Sequence, residues 1–286
     1  MVITNETAII LDTETHALEG RAIEIAYIPL ALAGGKAKIY LNSAFNQLYN
    51  PLEPIDITAM AVHHILDQDV CNQPAYTEFQ LGEGAEYIIG HNIDYDIRVL
   101  KRGGIQQALK PICTLALARR YLPQAPAHSI SVLSYFLAKD KPRVRQALKS
   151  AHSAITDVQL TASLFNHLLA IIPKEFKNSM QALYEHSLHC RIPTRMPFGE
   201  HKGKKIELVP DSYKQWLMKK RCDDVYLQFA LELDEASHAR RVFENKYSII
   251  PGTHSDYEFI GSRTPVSTNN QIDLFERLLQ KSLELK

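Results

Sequence analysis

The sequence predicts an α/β protein with a mixed sheet and flanking helices, followed by a small C-terminal module and a flexible tail. Three observations predict it. β-Branched, apolar runs open the chain, and helical periodicity dominates after them. From residue 196 the texture turns basic and glycine-punctuated, and from about residue 247 it loses periodicity altogether. The chain has 286 residues, enough for one large domain or two smaller ones.

The first strand covers residues 8–12. Its apolar run, Ile9-Ile10-Leu11, ends in Asp12-Thr13-Glu14. Side chains of a strand alternate faces, so Asp12 and Glu14 project into one site. Neighbouring carboxylates repel unless a cation lies between them, and oxygen donors suit Mg²⁺ or Mn²⁺. Residues 22–28 form the second strand and 37–41 the third, after Gly34-Gly35. Their short connections predict an antiparallel meander. Glu24 reads as an outward-facing polar residue of the second strand.

Residues 51–54 form a loop, 57–65 a short helix and 74–81 another. Residues 87–90 are a fourth strand ending in His91-Asn92. Asn92 is placed to cap a helix over 94–101, which Gly103-Gly104 stops. Helices follow over 114–122 and 130–138, and the basic stretch 139–149 is expected as a loop. The strongly periodic helix 154–172 closes the first domain, residues 1–172. Residues 173–195 read as a helical connector. Residues 196–246 form a small basic module with helices over 212–220 and 224–244. Residues 247–270 are a linker rich in Ser, Thr, Gly, Pro and Asn, and 271–286 a terminal helix or peptide.

The formal net charge is zero, but residues 191–221 hold nine Lys/Arg against three acids, a local +6 balanced by −6 elsewhere. The four cysteines, Cys71, Cys113, Cys190 and Cys222, form no Cys-x-x-Cys, so neither a zinc ribbon nor a redox motif is indicated, and reduced, buried thiols in the cytoplasm are expected. No signal peptide and no membrane-length apolar run is expected.

Chemistry concentrates in three places: Asp12 and Glu14; His91-Asn92-x-x-x-Asp96, where a strand becomes a helix; and His152-x-x-x-x-Asp157, where a loop does. Four carboxylates and a histidine at element ends suit a two-metal phosphodiester site. An imidazole there can take a proton from the attacking water.

At these residues the chain resembles the DEDDh (DnaQ-like) family of 3′→5′ exonucleases, most of all those like exonuclease X. Leu11-Asp12-Thr13-Glu14 resembles the first family motif. Gly90-His91-Asn92-Ile93-Asp94-Tyr95-Asp96 resembles the second and His152-Ser153-Ala154-Ile155-Thr156-Asp157 the third. The resemblance implies a ribonuclease-H-like fold and two Mg²⁺ (or Mn²⁺) held by Asp12, Glu14, Asp96 and Asp157. It implies His152 as general base, with Thr13, His63 and Asn92 at the terminal nucleotide. Tyr95 stands where the family usually has Phe, and little effect is expected from it. His64 and His91 are expected to be structural.

Met196-Pro197-Phe198-Gly199 through Trp216 resembles the C-terminal region of the same enzymes. The lysines there are assigned to nucleic acid, and Tyr213 and Trp216 to the module's core. Gln271-Ile272-Asp273-Leu274-Phe275 resembles a bacterial sliding-clamp-binding peptide, in which Gln271, Leu274 and Phe275 would make the contact. The expected function is a 3′→5′ exonuclease releasing nucleoside 5′-monophosphates from a free 3′ end of nucleic acid, DNA above RNA, in repair or replication. The rival readings are an exoribonuclease, an inactive nucleic-acid-binding module and a non-catalytic clamp adaptor.

Overall fold

Ile9, Ile10 and Leu11 lie at the centre of the longest strand pair in the molecule. In the computed structural model β1 (Glu6–Thr15), β2 (Ala22–Ala33) and β3 (Lys36–Ile39) form the expected antiparallel meander. The structure describes residues 6–82, 84–150, 152–220, 224 and 226–235. The chain divides into two compact units, residues 1–190 and 191–286.

The first unit is built on a six-stranded mixed sheet, ordered β3-β2-β1-β5-β6, with β4 (Phe45–Leu48) also paired to β2. β5 (Tyr87–Gly90) runs parallel to β1, and β6 (Lys110–Cys113) parallel to β5. The C-terminal ends of β1 and β5 therefore lie at one end of the sheet. Helices α1 (Ile57–His63), α2 (Asp67–Val70), α3 (Asp94–Arg102), α4 (Thr114–Tyr121), α5 (Ile130–Leu137), α6 (Lys141–Ala147), α7 (Ala154–Ile171) and α8 (Met180–Arg191) complete the unit. α7 packs across β1 and β2, burying Val158, Ala162, Phe165 and Leu169.

Several elements depart from expectation, each for a physical reason. β4 is half-buried, and its Asn46 and Gln47 hide the strand pattern. β6 contains Pro111, which argues against a strand; as the edge strand it pairs only with β5, and an edge tolerates the missing donor. Residues 74–81 make a single 3₁₀ turn, Tyr76–Glu78, instead of a helix. The expected loop 139–149 contains α6, started by Asp140, whose Oδ1 accepts the Arg143 amide at 3.1 Å, with Pro142 in the first turn. Asn92 does not cap α3: the helix begins after Ile93, and Asn92 sits in the left-handed region at φ 72°.

α8, in the expected helical connector, packs with the sheet of the first unit. Cys113 N donates to Ser187 Oγ at 2.8 Å, and Gln181 Oε1 accepts from Tyr87 Oη at 3.1 Å and Lys110 Nζ at 2.9 Å. These bonds cover the β6 edge, which otherwise offers an open template for pairing.

The second unit encloses its own small core of Met196, Ile206, Val209, Leu217, Leu227, Ala230 and Leu231. α9 (Asp211–Lys219) lies against helical residues 226–235, whose start is capped by Asp224 Oδ1 on the Tyr226 and Leu227 amides. Buried Lys214 joins the two by ion pairs to Asp211 at 2.8 Å and Asp234 at 2.6 Å. The expected linker 247–270 and the clamp-like tail 271–286 lie outside the described residues. No helix among the described residues is long and apolar enough to cross a membrane.

Candidate active site

The three acidic motifs meet at the end of the sheet where β1 stops. Asp12 and Glu14 leave β1 on one face. Asp96 comes from the first turn of α3, which follows β5, and Asp157 from the first turn of α7. One ligand atom each from Glu14, His152 and Asp157 lies within 4.8 Å of the others.

β5 ends at Gly90, so the β1 edge beyond it lacks a strand partner. Asp96 takes its place: its Oδ1 accepts the Thr13 amide at 3.0 Å and the Thr13 hydroxyl at 2.7 Å. Thr13 is thus buried and its hydroxyl is spent on positioning Asp96. Tyr95 Oη lies 2.7 Å from Thr15 Oγ1 and donates to the Leu18 carbonyl at 2.7 Å. The hydroxyl that distinguishes Tyr95 from Phe therefore ties α3 to the chain leaving β1.

Glu24 overturns its reading as an outward-facing residue. It is 5% exposed and stands directly opposite Glu14 in the β1–β2 register, so both side chains share a face. Its Oε2 accepts the amide of Ala154 at 2.9 Å, the first residue of α7. A carboxylate there satisfies one of the orphan donors of a helix start and favours the positive end of the helix dipole. Glu24 thus fixes α7 immediately between His152 and Asp157. A partner that orients functional side chains typically costs 10- to 100-fold in activity when lost. Glu24→Ala is expected to lower hydrolysis by about that factor, and Glu24→Gln, which keeps the acceptor, to recover most of it. Equal losses in both variants would show that the charge of Glu24, not its hydrogen bond, matters.

Crowding of acids sets the electrostatics. Burial, then the charges of Asp96, Glu14, Asp157 and Glu24, pushes Asp12 well above the ordinary carboxylate range. Burial and then Asp157, Glu24 and Asp96 push Glu14 up to about 8. Burial raises Asp96 to about 7 against the opposing Thr13 hydrogen bonds. Asp157 is raised by burial against the opposing effect of His152, and its Oδ1 is buried without a hydrogen-bond partner. A cluster of hard oxygen donors that destabilise one another's charge, with one buried oxygen unspent, fits a divalent cation. The residues present therefore suit a divalent cation.

His152 is exposed and left-handed at φ 66°, held between the turn before it and α7. His63, the last residue of α1, is buried. Its Nδ1 accepts the Ile65 amide at 3.0 Å, so Nε2 carries the proton, and Nε2 has no bond of ordinary geometry among the described residues. Burial lowers its pKa, against the pull of the Thr15 carbonyl. Asn92 is exposed at the β5–α3 turn. His64 caps α1 in the left-handed conformation, its amide donating to the Met60 carbonyl at 2.9 Å. His91 is held by Thr114 Oγ1 at 3.0 Å and the His128 carbonyl at 2.7 Å, and burial lowers it to about 4.

Exodeoxyribonuclease 10 of Escherichia coli K12 is 28% identical over 213 residues, covering 73% of this chain and 89% of that protein. The solved structure of exonuclease X in complex with 5′ overhanging duplex DNA is 28% identical, covers 57% of this chain and 91% of that one, and superposes with a TM-score of 0.44. E. coli exonuclease I in complex with a dT13 oligonucleotide is 12% identical, covers 97% of this chain and 85% of that one, and has a TM-score of 0.50, a likeness of fold alone. The RNase_T exonuclease family model matches residues 9–165, which span β1 through most of α7 and hold all three motifs. This chain belongs to the RNase_T (DnaQ-like, DEDDh) exonuclease family: a hydrolytic nuclease with a ribonuclease-H-like fold, acting on nucleic acid.

Proposed function

We propose that this exonuclease removes nucleotides from the 3′ end of DNA as nucleoside 5′-monophosphates and serves DNA repair or replication. The convergence of Asp12, Glu14, Asp96 and Asp157 with His152 at one strand end carries the reading. The preference for DNA is supported by the relative named as an exodeoxyribonuclease and by the exonuclease X complex with DNA. The sliding-clamp contact of Gln271, Leu274 and Phe275 rests on the sequence motif alone.

Asp12, Glu14, Asp96 and Asp157 would hold divalent cations, two Mg²⁺ or Mn²⁺. When bound, such cations offset the charge of the phosphate and favour ionisation of a water at neutral pH. His152 accepts the proton of the attacking water at a ring nitrogen, which its exposure at the mouth of the cluster permits. The water oxygen bonds to phosphorus as the bond to the 3′ oxygen breaks, leaving the phosphate on the released nucleotide. Thr13 keeps Asp96 in register and Glu24 keeps α7 in place. His63, at the end of α1, and Asn92, exposed at the β5–α3 turn, are assigned to the terminal nucleotide on the resemblance of their sequence positions.

Digestion of DNA and RNA strands of one sequence, each labelled at the 5′ or the 3′ end, tests this. A ladder from the 5′ label, immediate mononucleotide release from the 3′ label and faster loss of DNA are expected. Trimming of RNA alone would keep the site and overturn the substrate; release from the 5′ end would overturn the polarity.

A further inference from the structure

Of the two aromatic residues expected in the core of the second unit, Tyr213 packs against that core and Trp216 does not. Trp216 is 46% exposed and Phe198 42% exposed, while the core-facing position of α9 is taken by Leu217. Trp216 lies on the outer side of α9, with its ring centroid 5.5 Å from that of the half-buried Tyr213. Tyr213 is packed edge-on to His201 at 4.6 Å. Its hydroxyl abuts Gly199, next to Phe198, where a side chain would collide with it. Gly199 has φ 75°, so the backbone there also favours glycine. The Met196–Gly203 turn is itself pinned by Met196 N to the Lys204 carbonyl at 2.9 Å and Gly203 N to the Met196 carbonyl at 2.8 Å. One firmly held strip thus presents Phe198, His201, Tyr213 and Trp216.

Charge surrounds the strip. Arg195, Lys202, Lys204, Lys205, Lys219 and Lys220 are all exposed, against exposed Glu200, Glu207 and Asp211. Lys220 Nζ stands 4.6 Å over the Trp216 indole, so an ammonium and a flat apolar ring are offered at one spot. Exposing a large indole on a lysine-rich face adds nothing to the stability of the fold, and exposed aromatic surface of this kind marks an interaction site. A strand of nucleic acid matches both halves of the patch, with phosphates for the lysines and unpaired base faces for the rings.

We propose that the Phe198–Tyr213–Trp216 strip and its surrounding lysines form a second nucleic-acid site that stacks unpaired bases of a single strand, separate from the carboxylate cluster of the first unit. It rests on the chain acting on nucleic acid, and not on the polarity or the sugar assigned above. Stacking of this kind is tolerant of sequence, because every base has an apolar face. The site therefore favours unpaired strands over blunt duplex without reading a motif.

Trp216 is the only tryptophan in the chain, so its fluorescence reports the site directly. The full chain in EDTA, where hydrolysis is suppressed, is titrated with oligothymidylate, with blunt duplex and with inorganic polyphosphate. Saturable quenching by oligothymidylate is expected, with the same midpoint as the anisotropy of a labelled strand, and little quenching by polyphosphate. Trp216→Ala is expected to weaken strand binding by roughly 5- to 100-fold, the range for one stacked base, and Trp216→Phe to restore most of it. Trp216→Leu and Phe198→Ala, with unchanged melting temperatures, guard against simple misfolding and should also weaken binding. Strand binding without quenching overturns the proposal. So does equal quenching by polyphosphate, which would mean a charge site alone, or unaltered affinity in a folded Trp216→Leu chain, which would leave the strip to another segment of this protein.

Discussion

Asp12→Asn is expected to lower hydrolysis about a thousandfold or more while making the metal-free protein more stable. The two effects have one cause. Asp12 is the carboxylate most surrounded by others, with Asp96, Glu14, Asp157 and Glu24 all raising its pKa on top of burial. Loss of a charge proposed to hold the cation would remove the reaction's largest electrostatic contribution. The same change relieves repulsion inside a cluster that, without metal, must either keep protons or bury like charges.

The sign of the pH dependence follows from the direction of the shifts. Glu14 is raised from 4.5 to about 8 and Asp96 from 3.8 to about 7. Between about pH 4 and pH 8 the metal-free folded chain therefore holds protons that the unfolded chain has lost. Stability is highest at the acid end of that window and falls as pH rises, by up to about 1.4 kcal/mol per pH unit for each such group. Thermal melts in EDTA from pH 5 to pH 8 are expected to show this fall. Mg²⁺ should reverse it in the wild type and do so much less in Asp12→Asn. In EDTA at pH 8 the variant is expected to melt higher by a few degrees, at about 2–4 °C per kcal/mol for a chain of this size. A variant that melts lower than the wild type in EDTA would contradict the crowding on which the site is built.

His152→Ala is expected to cost about 10²- to 10⁴-fold in rate, the usual contribution of a general base, with metal stabilisation retained. The distinction matters because the His152 ring lies as close to Glu14 and Asp157 as a ligand would. A base removed leaves the carboxylates to bind the cation; a ligand removed weakens binding as well. The Mg²⁺-induced rise in melting temperature, compared in His152→Ala and Asp157→Asn, separates the two roles. Preserved in the first and lost in the second, it marks a base; lost in both, it marks a ligand. His152→Gly adds a control, since the left-handed backbone at φ 66° suits glycine and should leave folding unharmed.

The sequence disclosed those parts of the site that depend on one short segment. Asp12 and Glu14 follow from strand alternation, and Asp96 and Asp157 from their places in the first turns of helices. Glu24 did not, because its burial depends on Ala154, 130 positions away, whose amide it accepts. Within its own strand a lone glutamate among apolar residues looks solvated. Thr13 was legible as a site residue but not as the partner of Asp96, because that bond exists only where β5 ends short of β1. β6 and α6 were missed for local reasons: a proline inside a four-residue edge strand, and a helix whose exposed, basic face carries no apolar stripe. Trp216 and Tyr213 lie three apart, on adjacent turns of α9, yet spacing alone cannot say whether that face turns inward. The adjacent Leu217 does, half-buried Tyr213 packs against the core, and Trp216 is left outside.

One measurement tests the central claim, that the carboxylate cluster at the end of β1 is where a divalent cation supports hydrolysis. A single 5′-labelled DNA strand is followed over time with wild type and Mg²⁺, wild type and EDTA, and Asp12→Asn and Mg²⁺. Progressive shortening from the 3′ end in the first reaction alone is the expected result. Shortening that persists in EDTA, or at a comparable rate in Asp12→Asn, would place the chemistry elsewhere in the molecule.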